Sequence, residues 1–161
     1  MRYFFFFLFF LSTVCFKLSA QHVSTIKITD LENRIQNGGD TTYIVNFWAT
    51  WCVPCVKELP AFDSINNAFI DKKVKVLLVS LDFKDEIETK LNPFLASKKV
   101  KSEVQLLDET NANYFIPKVS NLWTGAIPAT LIKNNNKKYE AFYEKKLNYL
   151  FLSTEIDKII D

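Results

Sequence analysis

The chain has 161 residues, 20 basic and 18 acidic side chains, three cysteines, three glycines and an apolar fraction of 48%. That length and ordinary charge content favour one globular domain with its own core over a disordered chain, a repeat array or a multidomain assembly. The lysines come as scattered pairs (Lys72 and Lys73, Lys98 and Lys99, Lys137 and Lys138), not as a cluster that could track phosphates, so no nucleic-acid partner is expected.

Residues 1–20 hold seven of the fifteen phenylalanines, Tyr3, Cys15, two basic groups (Arg2 and Lys17) and no acid. Arg2 gives a positive start, residues 4–16 form an apolar run, and Ser19 and Ala20 follow as small residues before Gln21. This pattern predicts an export signal over residues 1–20, with the folded domain spanning 21–161. A full bilayer crossing needs about 20 apolar residues, so the run is short for a permanent span; an uncleaved membrane tether through residues 4–16 is the alternative. Bulky Val14 makes a poor lipid-attachment context for Cys15, which is expected to be a plain cysteine of the apolar run. Past this segment the chain carries 18 basic groups, 18 acidic groups and two cysteines.

Residues 23–29 alternate apolar and polar side chains and predict a short edge strand. Asp30 can cap a brief helix through Ile35, closed by Gly38 and Gly39. Residues 43–49 form a β-branched and aromatic run of the kind buried inside a sheet. From Cys55 to Ile70, Val56, Leu59, Phe62, Ile65 and Phe69 recur every three or four residues, the period of a helix face. Pro60 interrupts it and predicts a kink near residues 56–60. Residues 74–81 read as a second buried strand, 85–98 as a helix broken at Pro93, and 103–107 as a short strand. Another helix is expected to start within 108–115. A strand over 126–132 is led by Pro128, residues 134–136 supply a turn, and 139–143 return as its hairpin partner. Residues 153–160 form a closing amphipathic helix, with 147–152 as its first turns. Strands alternating with helices, then a hairpin and a helix, predict an α/β fold with a mixed sheet.

Both remaining cysteines lie in Trp51-Cys52-Val53-Pro54-Cys55, between the buried strand and the long helix. Two intervening residues let their sulfurs bond across the first helical turn. The helix N-terminus favours an anion, so Cys52 is expected to ionise easily and to attack a partner's disulfide; Cys55 would then resolve the mixed disulfide. A purely structural bridge is the first alternative. A four-residue loop gives it roughly 2 kcal/mol, against about 4.7 kcal/mol for a 100-residue loop, which is poor value for a staple. A zinc site is the second, but the one histidine, His22, and no further cysteine are at hand to complete it. Trp51 is expected at the rim of the site and Trp48 in the core; Trp123 either lines a substrate groove or plugs the domain. Lys57 is expected to be solvated.

The segment Phe47-Trp48-Ala49-Thr50-Trp51-Cys52-Val53-Pro54-Cys55, between a strand and a helix containing Pro60, resembles the active-site segment of the thioredoxin superfamily. Ile127-Pro128 looks like the cis-proline of that fold, which lies against the cysteine pair. Asn46 before the motif, the export signal and the long stretch from Cys55 to Pro128 are similar to the TlpA/ResA-like thiol-disulfide oxidoreductases. The resemblance implies a central mixed sheet flanked by helices, with an extra helix-strand insertion before the cis-proline strand. It also implies Cys52 as nucleophile, Cys55 as resolving thiol, and Glu58 as a partly buried carboxylate of raised pKa that exchanges the Cys55 proton. Trp51, Ile127 and Pro128 would contact substrate. The family pattern further implies an extracytoplasmic oxidised protein as substrate, a membrane thiol donor as electron source, a monomer, and neither bound cofactor nor metal. A thioredoxin-like binding module with inert cysteines and a peroxiredoxin-like thiol peroxidase are the competing readings. The approach Trp123-Thr124-Gly125-Ala126 lacks the usual tyrosine-valine, and Asn134-Asn135-Asn136 replaces the common acidic-glycine turn, which leaves partner specificity open.

Overall fold

The computed structural model describes residues 22–160; the expected signal, tether and Cys15 lie outside the described residues. Six strands form one sheet in the order β1-β4-β3-β2-β5-β6. They are β1 (Ser24–Ile26), β2 (Thr42–Trp48), β3 (Val74–Ser80), β4 (Glu103–Leu107), β5 (Ala129–Asn134) and β6 (Tyr139–Tyr143). The first four are parallel neighbours, while β5 runs antiparallel to β2 and β6 antiparallel to β5. Helices α1 (Ile28–Gln36), α2 (Val53–Ala68), α3 (Asn92–Lys98), α4 (Ala112–Val119) and α5 (Tyr149–Ile160) flank this sheet. It is the mixed, thioredoxin-like arrangement expected, and the helix-strand insertion is the α3-β4 unit, whose strand wedges between β1 and β3.

Strand β2 is buried along its whole length because both of its faces are covered. Its alternation sends Ile44 and Trp48 into one core with Leu59, Phe62, Ile65 and Ile156. Val45 and Phe47 enter the other, with Ile28, Leu31, Phe115 and Trp123. The two cores fix α2 and α5 on one side of the sheet, and α1 and α4 on the other.

Several boundaries differ from expectation for local reasons. Lys27, not Asp30, precedes α1 and supplies no side-chain cap. The Ile28 N–H is instead satisfied by Glu109 Oε1 at 3.1 Å, a partner 81 positions away. Helix α2 extends from Val53 to Ala68 with Pro60 inside it. In the 85–98 stretch the irregularity precedes Pro93: a 3-10 turn at Lys84–Glu86 leads into a π-turn at Ile87–Leu91. Pro93 occupies the first turn of α3, where no backbone donor is needed. Strand β5 starts at Ala129 because Pro128 has no N–H for the ladder, whose first pair is Phe47 with Ala129. It extends to Asn134, whose Nδ2 donates to Thr42 Oγ1 at 2.9 Å, and the turn moves on to residues 135–138. Helix α5 begins behind Asn148, whose Oδ1 accepts from the Phe151 N–H at 2.9 Å.

Candidate active site

The carboxyl ends of β2 and β3 and the start of β5 meet at one edge of the sheet, and the cysteine motif leaves β2 there. Cys52 is the N-cap of α2 and is joined by a disulfide to Cys55, with Cα atoms 5.3 Å apart. The Cys55 N–H points at Cys52 Sγ at 3.4 Å, so an unpaired helix amide faces the sulfur expected to carry charge. Cys52 is 6% exposed and Cys55 fully buried, which leaves Cys52 as the sulfur within reach of a partner. Pro54 fits the first helical turn.

The peptide bond Ile127-Pro128 is cis. The Ile127 carbonyl lies 3.7 Å from Cys52 Sγ, a contact in the disulfide and a hydrogen bond open to a Cys52 thiol. Trp51, 57% exposed, and Val53 form an apolar rim beside the disulfide. Trp48 is in the core. Trp123 is 5% exposed and plugs the domain instead of lining a groove. Its ring meets those of Phe47 at 4.7 Å and Phe142 at 6.1 Å, and its Nε1–H donates to the Ala126 carbonyl at 2.8 Å. Lys57 is exposed, as expected.

Glu58 lies one turn beyond Cys55 and is 1% exposed. Asn46 Nδ2 donates to its Oε1 at 2.8 Å and to Thr130 Oγ1 at 3.1 Å, while the Leu147 N–H donates to its Oε2 at 2.7 Å. Burial pushes the Glu58 carboxyl up to about 7, outweighing the hydrogen bonds from Leu147 and Asn46 and the charge of Lys146, all of which lower it.

Sequence reasoning missed Asp82. Its carboxylate accepts from the Thr50 N–H at 3.0 Å, Thr50 Oγ1 at 2.6 Å and Ser80 Oγ at 2.8 Å, so it holds the turn that presents Trp51 and Cys52. A buried acid two residues after a strand gives no signal of its own in the sequence, and its partner is 32 positions away. Leu147 was missed for the same reason, since its contribution is a backbone amide. A cavity of about 390 Å³ between α2 and the α3-β4 turn is lined by Leu59, Pro60 and Lys101, among others, and includes neither cysteine. Among the described residues, no three His, Cys, Asp or Glu side chains gather as metal ligands. No helix among them is long and apolar enough to cross a membrane.

A family model described as AhpC/TSA family matches residues 13–139. The chain belongs to the AhpC/TSA family. Among curated proteins the chain is similar to the thiol-disulfide oxidoreductase ResA of Oceanobacillus iheyensis, 37% identical over 59 residues, which are 37% of this chain and 27% of that one. The sporulation thiol-disulfide oxidoreductase A of Bacillus subtilis is 35% identical over 78 residues, 48% of this chain and 46% of that one. The matches therefore span less than half the length of either relative. Among solved structures, the thioredoxin-related protein from Neisseria meningitidis serogroup B superposes with a TM-score of 0.66 at 26% identity, covering 78% of this chain and 89% of that one. The fold and the cysteine motif of this AhpC/TSA-family chain are thus those expected from the resemblance to ResA-like proteins.

Proposed function

We propose that the chain is an exported thiol-disulfide oxidoreductase that reduces disulfides in other extracytoplasmic proteins. The observation that carries this reading is the Cys52–Cys55 disulfide at the start of α2, with Cys52 6% exposed beside the Ile127 carbonyl and Cys55 fully buried. In the reduced protein the Cys52 thiolate attacks one sulfur of a substrate disulfide, forming a mixed disulfide and expelling the other sulfur as a thiolate. Cys55 gives its proton to Glu58 and attacks Cys52 Sγ. The substrate leaves as a dithiol, two electrons richer, and the chain returns to the Cys52–Cys55 disulfide. Trp51 and the Ile127-Pro128 edge contact the substrate chain. A membrane thiol donor restores the dithiol.

Export draws its support from the composition of residues 1–20, and oxidoreductase chemistry from relatives named for it. Insulin reduction with an external reductant tests the activity: the wild-type chain turns over and C52S does not. No turnover from the intact fold would favour a binding module with inert cysteines, and peroxide consumption in its place a thiol peroxidase. Equilibration against glutathione with alkylation of Cys52 and Cys55 tests the direction. A reductant lies toward about −270 mV, and a potential near about −120 mV would make the chain an oxidant.

A further inference from the structure

The loop before the cis-proline, residues 124–128, belongs to no strand or helix, yet it supplies the Ile127 carbonyl next to Cys52. Gly125 at its centre has φ +101°, in the region that favours glycine, and the N–H groups on either side of it converge on one carboxylate. Glu144 Oε1 accepts from the Ala126 N–H at 2.8 Å and from Thr124 Oγ1 at 2.5 Å, and its Oε2 accepts from the Thr124 N–H at 3.2 Å. The loop thus forms a small anion-binding concavity whose anion is a side chain of the same protein.

Glu144 follows the last residue of β6, Tyr143, which pairs with Thr130 of β5. A carboxylate anchored one residue beyond a sheet strand therefore spans to the loop that enters the neighbouring strand. From the other side the buried Trp123 ring donates to the Ala126 carbonyl. Both backbone polar groups of Ala126 are thus taken up by Glu144 and Trp123, and Ile127 is the next residue able to present a backbone edge to a substrate strand. An extended peptide that pairs with such an edge gains affinity in proportion to how well the edge is held in place beforehand.

We propose that Glu144 is a positioning residue that holds the Ile127-Pro128 edge in register with Cys52 for a polypeptide substrate. This rests on the oxidoreductase reading above. It acts through the loop and touches neither sulfur nor substrate, so its effect falls on recognition of the peptide chain more than on thiol exchange itself. A mere loop staple would change thermal stability and leave substrate discrimination alone.

The test compares a peptide disulfide long enough to lie along the edge with 2-hydroxyethyl disulfide, which is too small to do so, in the wild-type chain, E144A and E144Q. In E144A the KM for the peptide disulfide is expected to rise about fivefold to tenfold with kcat changed less than about twofold, and selectivity for peptide over small disulfide to fall accordingly. E144Q keeps an acceptor oxygen and should fall between the two; it also carries the comparison if E144A does not fold. An unchanged selectivity in E144A, or in E144Q where only that variant folds, overturns the assignment, as does an equal loss on both substrates. A wild-type chain inactive on both disulfides would instead overturn the oxidoreductase reading and this proposal with it.

Discussion

Glu58 shows how one side chain couples folding to chemistry. Its carboxyl ionises near 4.5 in the unfolded chain and is raised to about 7 in the fold, chiefly by burial. Between those values the folded state holds the proton more often than the unfolded one, so this group makes stability fall as pH rises through the window. At about 1.4 kcal/mol per pKa unit, the cost above pH 7 is on the order of 3 kcal/mol. E58Q removes the ionisation and keeps an acceptor for the Leu147 N–H. It should therefore be more stable than the parent at pH 8 by roughly 1–3 kcal/mol, with the difference vanishing near pH 4, as denaturant melts at both values would show. The same substitution should erase an inflection near pH 7 in the rate of insulin reduction; a retained inflection would remove Glu58 from the proton path. The residue was legible in the sequence through the family resemblance, which implies a buried glutamate three positions after the second cysteine, on the same helical face. Its partners were not, because a backbone amide at Leu147 and an asparagine at Asn46 carry no spacing signal.

At the level of elements, the disulfide is placed by two turns, neither of which is a regular element. One links β2 to α2, where Asp82 collects the Thr50 N–H and hydroxyl. The other is the loop into β5, held by Trp123 and Glu144. D82A leaves the Thr50 and Ser80 groups without their acceptor in a largely buried place, a loss of about 1–3 kcal/mol. It should also slow insulin reduction at temperatures well below its melt, whereas full activity with lowered stability would restrict Asp82 to a scaffold role. The strands β4 and β6 match the sequence pattern residue for residue, since short alternating runs between polar turns admit few other boundaries. The start of α1 and the π-turn before α3 were not legible. In the first case the cap comes from distant Glu109, and in the second the sequence periodicity does not distinguish a π-turn from an ordinary helical turn.

Across the whole molecule, a sheet covered on both faces leaves its carboxyl edge as the place where strand ends and helix starts can present side chains. Parallel β2 and β3 end there, and antiparallel β5 begins there, which is why residues 52 and 127, 75 positions apart, are neighbours. The order of strands was legible as a class from alternating β and α patterns, and the cysteine pair from its motif. The order of the two cysteines at the helix start already pointed to Cys52 as the more exposed sulfur, and the packing of α2 buries Cys55 fully. The proposed reductase activity requires a division of labour between those sulfurs, and trapping the mixed disulfide tests it most directly. Reduced C55S and C52S are each mixed with oxidised insulin, and the adducts are mapped by mass spectrometry. C55S should accumulate insulin on Cys52, while C52S should form little adduct at Cys55; comparable adduct on Cys55 in C52S, or none on Cys52 in C55S, would contradict the account.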